Sequence, residues 1–284
     1  MNWRAEAYCE ILALHLHTLP MSKKILIEVD APVTTVIINR PEVRNALDLE
    51  ATAALGAALR EFDADEHSRV AVLWGAGGAF CAGADLKELA GGVKYDAWAG
   101  RAGFLSRRLS KPVIAAVAGH ACAGGLGLAL WCDLRVAEET ARFAVLSRRW
   151  GVPMSDGTTV RLPRLIGMSN ALDMLLTARS VSAREALQMG LANRVVPHGT
   201  VREHAEALAA QIAQFPQIAM RSDRESAYGQ EALTLAEALE REEALAQNAK
   251  RIEAQAGAAR FAAGAGRHGA PPGEPQTGAK GEGA

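Results

Sequence analysis

Apolar positions along the chain first follow strand-like runs and later a helical period. Residues 33–39 (VTTVIIN) are β-branched and apolar, a strand that stops at Arg40-Pro41. Asp48 then stands where it can N-cap a helix through about Asp63, with Leu49, Leu55, Leu59 and Phe62 recurring at helical spacing. Residues 70–73 read as a buried strand closed by a glycine turn at 75–78, and residues 113–117 as another, again followed by a glycine turn and a helix. Strand-turn-helix units with covered strands predict an α/β core. Residues 134–136 and 143–146 read as further short strands. From about residue 169 the pattern turns helical. Ser169 opens one helix, Ser182 with Glu185 makes a capping box closed by Gly190, and Thr200 with Glu203 makes another whose helix ends before Pro216. A long Ala/Leu/Glu helix is expected from about 230 to 256.

These periods divide the chain. Residues 1–20 show no clear pattern and read as an N-terminal appendage, with Met21 as an alternative start. Residues 21–197 form the core and 198–263 a helical C-terminal region. Residues 264–284 are Gly, Ala and Pro with scattered charge and are expected to be disordered.

Composition narrows the function classes. With 31 Lys and Arg against 32 Asp and Glu, the net charge is −1 and no basic stripe stands out, so nucleic acid is not an expected partner. No apolar run approaches the roughly 20 residues that span a bilayer. The stretch from 11 to 19 is broken by His15 and His17 and no small-residue cleavage site follows, so neither membrane nor signal peptide is expected. Cys9, Cys81, Cys122 and Cys132 have no CxxC spacing and no suitable histidine neighbours. Buried reduced thiols, no metal and a cytoplasmic setting are the expectation.

The chemistry gathers in two stretches, FCAGADLKEL (80–89) and KPVIAAVAGHACAGGLGLALWCD (111–133). Gly124-Gly125 stands where a buried strand meets an apolar helix, and free amides at such a helix start suit an anion or a developing enolate oxygen. A second amide is expected from the turn Ala82-Gly83-Ala84-Asp85, giving two N–H groups to one oxygen.

Here the sequence resembles the crotonase superfamily of enoyl-CoA hydratases and isomerases. The resemblance is carried by NRPEVRNALD (39–48), GAGGAFCAGADLKEL (75–89), KPVIAAVAGHACAGGLGLALWCDLRVA (111–137), RLPRLIG (161–167) and SAREALQMGLANRVVP (182–197). It implies a ββα spiral core with a C-terminal helical trimerisation region, a homotrimer or dimer of trimers, and an acyl- or enoyl-CoA thioester as substrate without further cofactor. It also implies that the backbone N–H groups of Ala84 and Gly124 hold the thioester carbonyl. Arg44, Ala46 and Lys87 match positions that line or contact the CoA. Ala82, Asp85, Leu86, Gly125, Gly127 and Ser147 complete the set expected around the substrate, with Asp85 also reading as N-cap of a helix beginning at Leu86.

The two positions at which the family's hydratases carry glutamates read Gly127 and Ser147. Each such acid supplies about 10²–10⁴-fold, so ordinary water addition is not expected. Asp156, in the turn GVPMSDGTT, is the candidate replacement acid or base, the alternative being that it only caps the helix opening at 157–159. His120 and Ser147 rank below it. Two functions stay open: an enzyme on an acyl- or enoyl-CoA, and a non-catalytic acyl-CoA-binding protein in which Gly127, lacking a side chain, widens the pocket beside the thioester.

Overall fold

The computed structural model describes residues 22–94 and 96–266. The N-terminal appendage, the Met21 start, Cys9 and nearly all of the expected disordered tail lie outside the described residues. The chain builds a six-stranded sheet in the order β1-β2-β3-β4-β6-β9. Its strands are β1 (Ile25–Asp30), β2 (Val33–Ile38), β3 (Val70–Gly75), β4 (Val113–Val117), β6 (Leu134–Glu138) and β9 (Arg194–Val196). Only β1 and β2 pair antiparallel; the remaining neighbours are parallel. A smaller sheet joins β5 (His120–Cys122), β7 (Arg142–Ala144) and β8 (Ser180–Ser182).

The period-two alternation of the strands decides what packs where. Val70 and Val72 of β3 and Ile114 and Ala116 of β4 point to one face of the large sheet. There they meet Val201, Ala205, Leu208 and Ala209, the apolar stripe of a helix at Val201–Ala213. Ala71, Leu73, Val113, Ala115 and Val117 point to the other face, into the larger core. That core is completed by α1 (Leu49–Ala64) and the helix Gly124–Trp131, in which every residue after Gly124 is buried.

The helices in chain order are α1, α2 (Leu86–Ala90), α3 (Gly124–Trp131), α4 (Thr158–Thr177), α5 (Ala183–Gln188), α6 (Val201–Ala213), α7 (Gln217–Gly229), α8 (Leu235–Ala249) and α9 (Gln255–Ala262). Asp48 caps α1 by accepting from Ala51 N at 2.7 Å, and Ser182 caps α5 by accepting from Glu185 N at 3.3 Å. Elsewhere the expected elements change. The strand at 143–146 ends at Ala144 and passes into a 3₁₀ turn at Leu146–Trp150. Helix α4 begins well before Ser169 and is broken at Gly167 by extended ψ and positive φ. The Thr200 hydroxyl donates to Pro197 O at 2.9 Å instead of capping α6. The long C-terminal helix starts at Leu235, capped by the Thr234/Glu237 box, and is relayed through a π turn at Lys250–Ala254 into α9. Between α6 and α8 stands a further helix, α7, that no local pattern announces. Its Arg224 and Tyr228 both reach Asp133, at 2.7 Å and 2.9 Å, and this fastens the helical region to the end of α3.

Candidate active site

The segment between β2 and α1 is the frame of the site. Asn45 is fully buried and donates to Ala76 O and Ala79 O at 2.8 and 2.6 Å, tying this segment to the turn after β3. Arg40 pairs with Asp48 at 3.0 Å and Asp85 at 3.2 Å and also donates to Ala46 O. The incoming turn is then clamped residue by residue. Ala82 N donates to Arg44 O, Leu47 N to Gly83 O, and Asp85 N to Leu47 O. This last pair is a parallel bridge centred on Ala84, and such a bridge uses the groups on either side of its central residue. The Ala84 N–H is left without an acceptor among the described residues.

The second amide arises from helix geometry. Gly124 is the first residue of α3, where the N–H has no intrahelical partner. Gly83 brings the two turns together: a Cβ there would lie 2.9 Å from Gly124 N, and its φ of +103° is one that side chains rarely adopt. Ala123, the N-cap of α3, holds φ 49° and ψ −123°, a strained conformation for a residue with a Cβ. Gly124 is pressed by the Trp98 ring, whose Cζ3 would lie 2.6 Å from an added Cβ.

Ala84 and Gly124 line one cavity of about 690 Å³ together with Arg44, Ala82, Leu86, Ser147 and Asp156. Trp98, Cys122, Leu146 and Met154 supply much of its apolar wall, while Asp96, His120 and Trp150 are solvent-exposed where they meet it. Of the residues expected around a substrate, Ala46, Asp85, Lys87, Gly125 and Gly127 do not reach this wall. Asp85 caps α2 through Lys87 N and is paired with Arg40, so its carboxylate serves the frame. Lys87 is exposed, Ala46 is buried, and Gly125 lies so close to Cys81 O that any side chain would collide with it.

Gly127 does not widen the pocket. A Cβ on it would fall 2.6 Å from Oδ2 and 2.7 Å from Oδ1 of Asp156, so the volume its side chain would claim is filled by the Asp156 carboxyl. The side chain that fills this volume arrives from the turn before α4 and not from α3. Asp156 is 4% exposed, and its Oδ1 accepts from the N–H of Thr158, the first residue of α4, at 2.9 Å, while the N-cap position itself is held by Gly157. Burial pushes its carboxyl above the ordinary aspartate value, against the opposing pull of Thr158 and Arg161. Ser147 is buried, and its hydroxyl donates to Met154 Sδ at 3.1 Å. Burial raises the Cys122 thiol to about 11, which keeps it protonated and poorly nucleophilic at neutral pH. Among the described residues no three His, Cys, Asp or Glu side chains gather into a metal-binding group, and no helix is long and apolar enough to cross a membrane.

A largely parallel sheet with helices packed on both faces, whose connecting turns bring Ala84, Gly124 and the buried Asp156 onto one cavity, defines an α/β protein with its candidate site at those turns. The enoyl-CoA hydratase/isomerase family matches residues 28–264, and the chain belongs to that family, within the crotonase superfamily. A probable enoyl-CoA hydratase of Rhizobium meliloti (strain 1021) is 39% identical over 229 residues, covering 79% of this chain and 88% of that protein. The carnitinyl-CoA dehydratase of Salmonella arizonae is 37% identical over 210 residues, covering 72% of this chain and 80% of its own. Among solved structures, enoyl-CoA hydratase EchA1 from Mycobacterium marinum matches with a TM-score of 0.81 at 31% identity, over 88% of this chain and 98% of that one.

Proposed function

We propose that the protein is an enzyme acting on acyl- or enoyl-CoA thioesters, in which the N–H groups of Ala84 and Gly124 form an oxyanion hole and Asp156 moves the proton. The observation that carries this reading is the Asp156 carboxyl standing in the volume vacated at Gly127, on the wall of the cavity that both amides line. As carboxylate it would take a proton from the carbon α to the thioester. The electron pair left behind would spread onto the thioester oxygen, where the two amides accept the developing charge. As carboxylic acid it would return that proton to the α or the γ carbon. A double-bond shift needs only one such group, whereas adding water also calls for a second to activate the water. With Gly127 and Ser147 in place of acids, isomerisation is the favoured reaction and hydration the disfavoured one.

The finer features of the family are part of the same proposal. Leu235, Leu239, Ile252 and Phe261 on the C-terminal helices are exposed apolar residues, which suits a homotrimer or dimer of trimers. The free buried thiols of Cys81, Cys122 and Cys132 suit a cytoplasmic setting.

The test is NMR of the protein with 2- and 3-enoyl-CoAs in heavy water, which follows double-bond shift, hydration and deuterium uptake together. The expected result is allylic shift and α-exchange that Asp156→Asn abolishes while the thioester still binds. Bound thioesters returned without chemistry or deuterium would instead identify an acyl-CoA-binding protein. Equal turnover by Asp156→Asn would remove Asp156 from the mechanism.

A further inference from the structure

We propose that Arg161 is a positioning residue that locks the Asp156 turn to the loop carrying Trp98, so that acid and amide cradle are held in one register. The inference rests on the reading of Asp156 given above. Arg161 lies in the first turns of α4, and its side chain runs back past the helix start. Its Nη1 donates to Asp156 O at 2.9 Å and its Nη2 to Leu105 O at 2.7 Å. Gly157, at φ +88°, is what lets it pass, since a Cβ there would collide with Nη1.

The two carbonyls belong to different segments that meet at the site. Leu105 N donates to Trp98 O at 2.7 Å, and Ala99 N donates to Ser155 O at 3.1 Å. Trp98 in turn lies against Gly124, the residue that supplies the α3 amide. One guanidinium therefore holds the turn that presents the acid and the loop whose ring bears on the oxyanion glycine. A planar fork with several fixed donors suits two separate carbonyls, and an ammonium on a flexible stem does not reproduce it.

Arg161 forms no ion pair among the described residues, so its charge is left to act on its surroundings. Burial pushes the Asp156 carboxyl up, and the Arg161 charge pulls it the other way. From the other elements, α3 presents Gly127, and the turn before α2 presents the Cys81 thiol, which burial raises to about 12 and leaves uncharged. His120 and Asp96 line the same cavity.

The test compares wild type, R161K and R161Q in protein labelled with ¹³C at aspartate carboxyls, the Asp156 signal being assigned by its loss in D156N. R161Q is expected to move the Asp156 titration midpoint upward and to cut turnover on the order of 10²-fold through misplacement. R161K is expected to keep the midpoint near wild type while turnover still falls. Faster hydrogen exchange in a peptide covering residues 97–106 should accompany R161K. Wild-type turnover in R161K, or unchanged exchange in that peptide, would overturn the clamp. An unshifted midpoint in R161Q would overturn the electrostatic part. Should R161Q fail to fold, R161K and its exchange decide the question. The midpoint and exchange readouts need no turnover, so they judge Arg161 even if D156N retains full activity and the role of Asp156 fails.

Discussion

The two walls of the cavity are made of different material. In the proposed mechanism one offers backbone N–H groups, at Ala84 and Gly124, and the other offers a side chain, Asp156, from a turn. The amide wall depends on where the chain goes, and the residue at 84 itself matters little, because any non-proline residue carries the same N–H. What holds it is the frame: Asn45 and Arg40 behind, Gly83 between the turns, and Trp98 against Gly124. The acid wall is the reverse, a single functional group that can be removed while leaving the path of the chain intact. Changes on the first wall should therefore register in stability as well as in activity, and changes on the second chiefly in activity.

The sharpest separation comes from Asp156→Asn. It keeps an oxygen for the Thr158 N–H and is expected to lower turnover by about 10²–10⁴-fold with thioester affinity, read by calorimetry, almost unchanged. Gly127→Ala comes next. Its methyl must displace the Asp156 carboxyl and should cost roughly 10²-fold in turnover, as small displacements of catalytic groups do. In an Asp156→Ala background the same change should cost nothing further, and a double-mutant cycle on turnover measures that coupling. Additive effects would mean the two positions do not share one space.

Legibility in the sequence follows the same division. Asp48 and Ser182 announce their helices because a cap is a local bond between a side chain and a nearby amide. The Gly83 and Gly124 turns were legible for the same reason, as strand ends meeting glycine. The contact of Asp156 with Gly127 was not, since it joins residues far apart in the chain and leaves no local period. Trp98 and Arg161 act through loop carbonyls and ring contacts, which also have no spacing rule. Strands β5, β8 and β9 are three residues each, too short to show alternation. Helix α7 has no buried residue to mark an inner face, and Thr200 satisfies Pro197 instead of its own helix.

Smaller effects sharpen the contrast on the amide side. Gly83→Ala forces a side chain into φ +103° beside Gly124 N and should cost about 1–3 kcal/mol of stability, seen as a lower urea midpoint together with lost turnover. Ala123→Gly relieves the strained residue at the α3 start and should stabilise by about 1 kcal/mol. The pH dependence gives the last and smallest signal. The Asp156 carboxyl is raised above the ordinary 3.8 on folding, so the folded chain binds that proton more tightly than the unfolded one. Its contribution to stability is present below 3.8 and is lost as pH climbs from there through the folded value. Asp156→Asn, which cannot ionise, should gain on wild type in urea titrations across that window, and equal slopes would show that the carboxyl is not desolvated.

The steric exclusion between positions 127 and 156 makes them a single unit for redesign. A large side chain cannot be placed on α3 alone, because the aspartate from the turn already stands in that volume. Moving an acid from the turn to the helix therefore takes a paired exchange, Gly127→Glu together with Asp156→Gly, and either half made alone leaves an overfilled or an empty wall.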